Sequence, residues 1–401
     1  MIATASSDSI PALLEAIEIP DSAYEKAKSR YKDIGDWLCR PESSLREFDP
    51  LVSPQGSFDL GTVTRPPDAD GEYDLDISVK LQSGVTKSSH TQKELKELLG
   101  AELEAYRKAR GIERPLDEKR RCWRLQYKDQ MSFHIDAVPC IPEDDVRRGV
   151  IKEAMLARHT DEVLADDVAG LTVSITDNER ADYEVVCDDW NVSNPQGYGR
   201  WFRSRVRLAV QTVRDRLRME KRATVEELPT YKLKAPLQTS VQLLKQHRNV
   251  MFKDDPDSQP ISIIITTLAA RAYEGQEDVT EALLHIVDTM AHHIQPNTPR
   301  VPNPVNPEED FSDKWDTPEG QALDLEGNFY RWLGQAQADF HRLADTQDPD
   351  VLEKRAERAL GLSLNRQRLR ERLGVPAVPS APVVVVPTQR IERPSRPWAA
   401  G

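Results

Sequence analysis

The spacing of hydrophobic positions changes several times along the first half of the chain. Residues 74–81 alternate polar and apolar side chains, which is typical of a strand with one buried face. Residues 91–108 place leucines on one stripe of a helix, and further strands are predicted over 122–127 and 131–138. The first fifty residues have helical spacing interrupted by prolines. These patterns predict a mixed α/β first half whose strands need not pair in sequence order.

The second half of the chain is predicted to be helical. Helical spacing of apolar residues is found over residues 201–218, 240–252, 261–273, 279–293 and 320–373. Prolines recur between 296 and 307, so this segment is predicted to be an extended connector. From Pro376 onward the chain is rich in proline and its apolar residues are too interrupted to form a core, which predicts a mobile tail.

Composition narrows the class of protein. The 401 residues are 30% charged and 38% hydrophobic, with a mean hydropathy of -0.60, which is typical of a soluble globular protein of two or three lobes. No apolar run reaches the about 18 residues that a membrane span needs, and the start lacks the pattern of a secretory signal. The four cysteines are scattered without a CxxC pair. This spacing argues against a zinc ribbon or a disulfide scaffold and favours the cytoplasm.

The charge balance limits the partners of the chain. A formal net charge of -13 argues against a large, uniformly basic surface for long nucleic acids. Basic residues do cluster over 118–124 and 200–222. These clusters are interpreted either as solvated faces or as part of a local pocket for a small polyanion.

A glycine-serine segment is the first candidate for a binding site. In the segment 55–62, Gly56 allows a close approach of the backbone to an anion, and Ser57 adds a hydroxyl donor. If a helix begins here, its free N–H groups complete a cradle for phosphate. The spacing from Gly56 to Gly61 is similar to that of a P-loop, but no lysine follows Gly61, so the Walker interpretation fails.

Three aspartates are the second candidate. Asp74 and Asp76 lie two apart on the predicted strand 74–81, so both carboxylates point to one face. Two like charges at that distance favour a cation such as Mg²⁺, although aspartates that merely decorate an exposed strand edge are the simpler interpretation. Asp136, with His134 on the same face, supplies a third carboxylate within an apolar strand. Three carboxylates beside a phosphate cradle fit two-metal catalysis, whereas a Ser/His/Asp triad lacks its GxSxG turn.

The segments GSFDLGTV, DLD and HIDAVP resemble the polymerase-β-like nucleotidyltransferases, and specifically the bacterial cGAS/DncV-like enzymes (CD-NTases) of CBASS anti-phage systems. Further segments resemble the same family at 190–205, 236–252, 260–273 and 306–315. The resemblance covers roughly residues 30 to 370. It implies an α+β fold, with a polymerase-β-like nucleotidyltransferase core of mixed sheet and helices over 1–215, a C-terminal helical lobe over 216–375 and a flexible tail over 376–401.

The resemblance also implies roles for the residues around the three aspartates. Gln55 and Ser57, with the backbone of Gly56, would contact the donor nucleotide and its phosphates. Two Mg²⁺ ions would be held by Asp74 and Asp76. The remaining carboxylate, Asp136, would hold one of the ions and help to deprotonate the acceptor hydroxyl.

A basic residue from the helical lobe is also expected in the site. Lys245 and Ser262 align with the lysine and serine that bind the triphosphate in the family. Lys232 or Lys234 could serve instead, and the alternative for Lys245 is a solvated helix lysine. The pair at 292–293, two histidines, is interpreted as ordinary helix residues because no cysteines lie nearby to complete a zinc site.

The resemblance implies a cyclic oligonucleotide synthase that uses ATP and GTP or other NTPs and releases pyrophosphate. The compact spacing from glycine-serine to the aspartates resembles the branch that makes cyclic GMP–AMP, which is therefore the expected product. Two alternatives are a nucleotidyltransferase of the same fold that makes a linear product and a catalytically inactive nucleotide-binding module. The acidic chain argues against a long RNA partner, and the intact set of three aspartates argues against an inactive copy.

The end of the chain suggests a protein partner. Several members of the family are joined to targets through a small C-terminal residue by an E1/E2-like partner, and this chain ends in Gly401 after two alanines. Trp398 and the segment 383–386 offer an aromatic anchor and a strand-forming stretch for such a partner. The alternative is an ordinary disordered end.

Overall fold

The computed structural model describes residues 9–66, 71–127, 132–206 and 234–373. In that part of the chain the helices are α1 (Ser9–Ile17), α2 (Asp21–Leu38), α3 (Gly56–Leu60), α4 (Gln92–Ala109), α5 (Asp145–Leu156), α6 (Glu162–Ala169), α7 (195–206), α8 (Pro236–Met251), α9 (Ser262–Ala272), α10 (Val279–Thr289), α11 (Pro318–Ala322), α12 (Leu325–Ala344), α13 (Pro349–Leu360) and α14 (Arg366–Arg372). The strands are β1 (Pro50–Gln55), β2 (Tyr73–Leu81), β3 (Asp117–Glu118), β4 (Trp123–Tyr127), β5 (Phe133–Pro142), β6 (Val173–Ile175), β7 (Asn191–Ser193), β8 (Pro302–Asn303) and β9 (Asn306–Asp310).

A mixed sheet forms the centre of the first half. Its strands lie in the order β1-β2-β5-β4-β3, with β6 paired to the far end of β5 and β7 paired to β6. The pair β2–β5 is parallel, whereas β1–β2 and β4–β5 are antiparallel. The predicted strands at 74–81, 122–127 and 131–138 are confirmed as β2, β4 and β5, and the sheet is mixed as expected.

One face of this sheet is covered by helices and the other carries the aspartates. The alternation on β2 buries Leu75, Ile77 and Val79 in a core shared with leucines of α4 and apolar residues of α2. The helix α4 begins at a capping box, in which Thr91 and Glu94 bond each other's backbone N–H groups. The polar face of β2 is thereby left to line a site.

The helical half is built around α8. Every side chain from 239 to 248 on this helix is buried, although many of them are polar. Apolar residues of α8, α9, α10, α12 and α13 share one core with α1, α5, α6 and α7. The N-terminal helix α1 therefore packs against elements from the other end of the chain. The predicted boundary at 215/216 falls outside the described residues.

Polar side chains of α8 hold the end of α3 and the segment that follows it. The amide of Gln242 donates to the carbonyl of Val63 at 2.6 Å, and Lys245 donates to the carbonyl of Thr62 at 3.0 Å. Gln238 donates to the carbonyl of Leu60 at 2.8 Å. Burial of these polar groups is tolerated because each one has a backbone partner. The helical half is in this way attached to the turn that carries the candidate phosphate cradle.

The proline-rich segment between 296 and 307 differs from the prediction. It was expected to be an extended connector only, but β8 and β9 pair across it as a short antiparallel hairpin. The carboxylate of Asp310 stabilises the hairpin by accepting the backbone N–H groups of Arg300, Val301 and Ser312. Prolines are compatible with such an isolated two-stranded pair because each strand has a free edge. Among the described helices, none is long and apolar enough to cross a membrane.

Candidate active site

The turn between β1 and α3 lies directly against β2. Gln55 ends β1 in an extended conformation, and Gly56 follows with φ of +66°, a left-handed conformation that favours glycine. A β-carbon on Gly56 would overlap the carboxylate oxygen Oδ2 of Asp76. This close approach places Ser57, the next residue, beside the aspartates. The hydroxyl of Ser57 has no hydrogen-bond partner among the described residues, so it is available to a ligand.

The three predicted carboxylates lie on neighbouring strands. Asp74 and Asp76 share one face of β2, and the register of the parallel pair β2–β5 sets Asp76 opposite Asp136. Adjacent strands are about 4.8 Å apart, so the two side chains are immediate neighbours. The sequence-based expectation that Asp136 joins the other two aspartates agrees with this register.

Asp136 is bound by an arginine on the next strand. Arg124 lies opposite Asp136 in the antiparallel pair β4–β5. Its Nε donates to Oδ1 of Asp136 and its Nη2 donates to Oδ2, each at 2.7 Å. The pKa of Arg124 is raised, chiefly by this hydrogen bonding to Asp136. Both carboxylate oxygens of Asp136 therefore have a charged donor, while each oxygen keeps lone pairs for a further ligand.

Asp74 is bound by a histidine. His134 lies opposite Asp74 in the β2–β5 register, and its Nε2 forms an ion pair with Oδ1 of Asp74. Its Nδ1 is 3.2 Å from Oε2 of Glu72. Burial lowers the pKa of His134, but the hydrogen bond to Asp74 and the charge of Asp74 outweigh burial and leave that pKa raised. The imidazole thus connects two carboxylates at the start of β2.

Asp76 differs from the other two aspartates. Its carboxylate has no hydrogen-bond partner in the described part of the chain. The pKa of Asp76 is raised to about 7, first by burial and then by the negative charges of Asp136 and Asp74. A carboxylate that is desolvated, crowded by like charges and without a donor is well placed to receive a cation.

The carboxylates do not form a complete metal cage by themselves. In the described ranges no group of three or more His, Cys, Asp or Glu side chains is gathered closely enough to hold a metal ion. Mg²⁺ is usually bound through one or two carboxylates together with waters and the phosphates of a substrate. Asp76 with its neighbour Asp136 satisfies that requirement. The residues therefore fit a Mg²⁺ site that a bound nucleotide completes.

Lys245 reaches the same site from the helical half. It is 9% exposed, so it is not the solvated helix lysine that was considered as the alternative. The pKa of Lys245 is lowered to about 8, first by burial and then by the positive charge of Arg248, while the charges of Asp74 and Asp76 oppose the shift. Its ammonium group donates to the carbonyl of Thr62, just after the helix that begins at Gly56. Of the other candidate lysines, Lys234 pairs with Glu18, and the residue at 232 lies outside the described residues.

Ser262 begins helix α9 and contacts a buried arginine. Nη1 of Arg248 donates to Oγ of Ser262 at 3.0 Å and to the carbonyl of Pro260 at 2.8 Å. Among the described residues Arg248 has no carboxylate partner, and burial lowers its pKa to about 10. Arg248 lies one turn after Lys245 on α8, so two cations without a carboxylate partner lie side by side. Such a pair favours a polyanion nearby.

Sequence analysis did not identify Arg124 or Arg248 as site residues. The spacing of three from Lys245 to Arg248 on a predicted helix was a usable indication, because residues three apart share a face. Arg124 lies in the basic cluster over 118–124, but its position opposite Asp136 depends on strand register, which the cluster does not indicate. Residues 292–293, which were interpreted as ordinary helix residues, lie in the short helix Met290–His293. The conjugation predicted at Gly401 lies outside those residues and stays a prediction.

Comparison with known proteins assigns a family to this geometry. The nucleotidyltransferase domain described as "Cyclic GMP-AMP synthase DncV-like" matches residues 50–140, which include the glycine-serine turn and all three aspartates. A c-di-GMP synthase of Roseivirga ehrenbergii is 33% identical over 322 residues, which cover 78% of this chain and 74% of that protein. The cyclic dinucleotide synthase CdnG of Bradyrhizobium diazoefficiens is 26% identical over 324 residues, which cover 76% and 68% respectively.

Solved structures agree on the fold. The structure of the CD-NTase CdnG of Bradyrhizobium diazoefficiens in complex with GTP matches 93% of this chain and 98% of that chain, with a TM-score of 0.63 and 22% identity. The complex of Escherichia coli CdnC with HORMA-deltaN matches 90% of this chain with a TM-score of 0.55 and 14% identity. The α+β architecture that the sequence resemblance predicted is thereby confirmed.

Proposed function

Because the chain belongs to the cGAS/DncV-like nucleotidyltransferases (CD-NTases), we propose that it condenses two nucleoside triphosphates into a cyclic dinucleotide and releases pyrophosphate. The observation that carries the proposal is the contact of the Gly56 turn with Asp76, which lies opposite Asp136. This contact places groups suited to phosphate beside groups suited to a divalent cation. The names of the two relatives, a c-di-GMP synthase and a cyclic dinucleotide synthase, support the same chemistry.

Separate residues of the chain bind the donor nucleotide and accept the proton of the acceptor hydroxyl. Ser57 donates its hydroxyl to a phosphate of the donor nucleotide, and the N–H groups of the turn add further donors. Lys245 neutralises part of the triphosphate charge from the helical half. Asp136 accepts the proton of the acceptor hydroxyl, which then attacks the α-phosphorus while the bond to pyrophosphate breaks. A second round on the linear intermediate closes the ring.

We propose that two Mg²⁺ ions bind at Asp74, Asp76 and Asp136 together with the triphosphate. When bound, such ions lower the pKa of the attacking hydroxyl and stabilise the leaving pyrophosphate. The raised pKa of Asp76 supports this assignment, because a cation relieves the repulsion among the carboxylates. His134 keeps Asp74 oriented toward the site while that ligand set is assembled.

The product is proposed to contain guanine. The relative that is 33% identical is a c-di-GMP synthase, and the CdnG structure contains GTP, so GTP is the substrate that the comparisons favour. The cyclic GMP–AMP predicted from the spacing of the motif differs from c-di-GMP by one base and stays the competing product. A role in anti-phage defence follows from the family resemblance and is part of the same proposal.

Incubation of the purified chain with Mg²⁺ and radiolabelled NTPs, singly and in pairs, tests the function. Phosphatase treatment followed by thin-layer chromatography is expected to leave a resistant cyclic product. A product from GTP alone indicates c-di-GMP, whereas a requirement for ATP with GTP indicates cyclic GMP–AMP. The Asp74→Asn/Asp76→Asn double variant, which keeps the shape of both side chains, is the matched control and is expected to give no product. The proposal would be contradicted if phosphatase destroyed every product, or if no pyrophosphate were released with any NTP.

A further inference from the structure

We propose that Arg124 is a positioning residue of this site, which holds Asp136 in the orientation needed to accept a proton from the acceptor hydroxyl. The inference rests on the proposed function, since it assigns a role within the same site. It concerns a residue that neither the sequence motifs nor the comparisons assign. Arg124 acts through Asp136 and is not itself proposed to touch the reacting atoms.

The contact between the two residues is geometrically restrictive. Nε and Nη2 of Arg124 each donate to a different oxygen of Asp136, both at 2.7 Å. A two-point contact fixes the plane of the carboxylate, whereas a single hydrogen bond leaves it free to rotate. The two residues lie opposite each other on paired strands, so the backbone fixes the positions of both Cα atoms. The orientation of Asp136 is therefore set before any substrate binds.

Both side chains of the pair are partly buried. The Arg124 side chain is 28% exposed and that of Asp136 is 17% exposed. At this degree of burial an ion pair is screened less by salt than a surface pair, and removal of one partner leaves the other charge without compensation. Asp136 also faces Asp76, a second carboxylate. Without Arg124, repulsion from Asp76 would be expected to turn Asp136 away from its present direction.

A direct role for Arg124 in phosphate binding is the alternative. The donors that point at Asp136 are already in use, which leaves the outer N–H groups for a phosphate. The two roles differ in kinetics. A positioning residue affects the turnover number, because its effect is felt in the chemical step, whereas a phosphate ligand affects the Michaelis constant for the nucleotide.

The ion pair is tested first without metal or nucleotide. Thermal unfolding in EDTA is measured for the wild type, Arg124→Gln, Asp136→Asn and the double variant. Arg124→Gln is expected to lower the Tm by about 2–4 °C in the wild-type background and by clearly less in the Asp136→Asn background. The matched control is Arg121→Gln, because Arg121 pairs with Asp177 and its effect is expected to be the same in both backgrounds. If the effects of Arg124→Gln and Asp136→Asn on the Tm were additive in the double variant, the proposal would be overturned.

The functional role is tested by release of pyrophosphate at saturating Mg²⁺. Arg124→Gln is expected to lower kcat about 10- to 100-fold while KM for the nucleotide stays within about twofold. Arg124→Lys, which can bond one carboxylate oxygen, is expected to recover part of the lost kcat. A raised KM with unchanged kcat would assign Arg124 to phosphate binding, and an unchanged kcat and KM would leave it a structural ion pair. Either result overturns the proposal.

Failure of the proposed function is recognised separately. If the wild type releases pyrophosphate but makes only linear products, the proposal of a cyclic product is wrong. The comparison of kcat values then still tests the positioning role of Arg124. If the wild type turns over no nucleotide, the nucleotidyltransferase function fails together with the positioning role. In that case the EDTA experiment reports on the ion pair alone.

Discussion

Gly56 lies so close to Asp76 that a β-carbon at position 56 would overlap the carboxylate oxygen Oδ2 of Asp76. The same glycine has φ of +66°, a conformation that costs an L-residue about 1–2 kcal/mol. Gly56→Ala is therefore expected to lower stability slightly and to reduce nucleotide turnover by more than about tenfold, because Asp76 must move. Steady-state kinetics together with thermal unfolding measures both effects.

Gly61→Ala is the matched control for Gly56→Ala. Gly61 has φ of +67°, so the backbone strain is the same, but its β-carbon would meet only the flexible side-chain end of Gln238. We expect the control to lose a similar amount of stability and to keep most of its activity. Equal loss of activity in both variants would show that strain in the turn, rather than contact with Asp76, limits turnover.

Ser57 provides a prediction about binding without a change in stability. Its hydroxyl makes no hydrogen bond within the described part of the chain, so Ser57→Ala is expected to shift the Tm by less than about 1 °C. KM for the nucleotide is expected to rise about 3- to 10-fold, which corresponds to the loss of one hydrogen bond to phosphate. Ser57→Thr retains the hydroxyl and should recover most of the affinity. An unchanged KM in the alanine variant would remove Ser57 from the phosphate site.

The raised pKa of Asp76 determines how the stability of the metal-free protein is expected to depend on pH. Its pKa is about 7 in the folded chain and 3.8 in the absence of interactions. Between these values the folded state binds more protons than the unfolded state, so stability falls as pH rises from about 4 to about 7 and then levels off. Asp76→Asn removes this contribution. In EDTA the variant should match the wild type near pH 4 and exceed its Tm by roughly 5 °C at pH 8.

In the presence of Mg²⁺ and nucleotide, the wild type is expected to have a higher Tm than Asp76→Asn, which is the reverse of their order in EDTA. At pH 8 the ions and the triphosphate bind the ionised carboxylate of the wild type and raise its Tm, whereas Asp76→Asn should gain little and show no turnover. Thermal unfolding with and without a non-hydrolysable nucleotide measures this difference. A destabilised variant in EDTA at pH 8 would show that Asp76 is stabilised by the protein itself, contrary to the raised pKa.

The local part of the site could be predicted from the sequence. Alternation over 74–81 predicted a strand, and the structure has β2 at Tyr73–Leu81. The period of two in a strand then puts Asp74 and Asp76 on one face without any knowledge of the fold. The glycine at 56 was likewise singled out, because glycine allows a close approach of the backbone to an anion, and the structure adds its left-handed φ of +66°.

The long-range part could not be predicted from periodicity. Arg124 meets Asp136 only because of the register between β4 and β5, and a shift by one residue would turn Arg124 to the opposite face. The burial of Lys245 is also non-local, because it depends on the carbonyl of Thr62 as a partner. Periodicity on α8 alone cannot separate a buried polar face from a solvated one. The expected role of Lys245 came from the resemblance to the family, whereas its burial and its contact with Thr62 are known only from the structure.

Lys245 predicts proton uptake when the nucleotide binds. Its pKa is lowered to about 8, chiefly by burial, so near pH 8.5 a large part of the free enzyme carries a neutral lysine. A triphosphate favours the charged form and raises this pKa, so binding takes up a proton at pH 8.5. The apparent affinity should therefore fall as pH rises above about 8.

Isothermal titration with a non-hydrolysable nucleotide at pH 8.5, in two buffers of different ionisation enthalpy, measures the uptake. The wild type is expected to take up as much as about 0.8 proton per site, since that fraction of Lys245 is neutral beforehand. Lys245→Met should abolish the uptake and weaken binding by more than about tenfold, because the remaining cation Arg248 is held by other partners. Lys234→Met tests the competing lysine, which is partly buried and pairs with Glu18. Uptake that disappears in Lys234→Met and persists in Lys245→Met would transfer the triphosphate contact to Lys234.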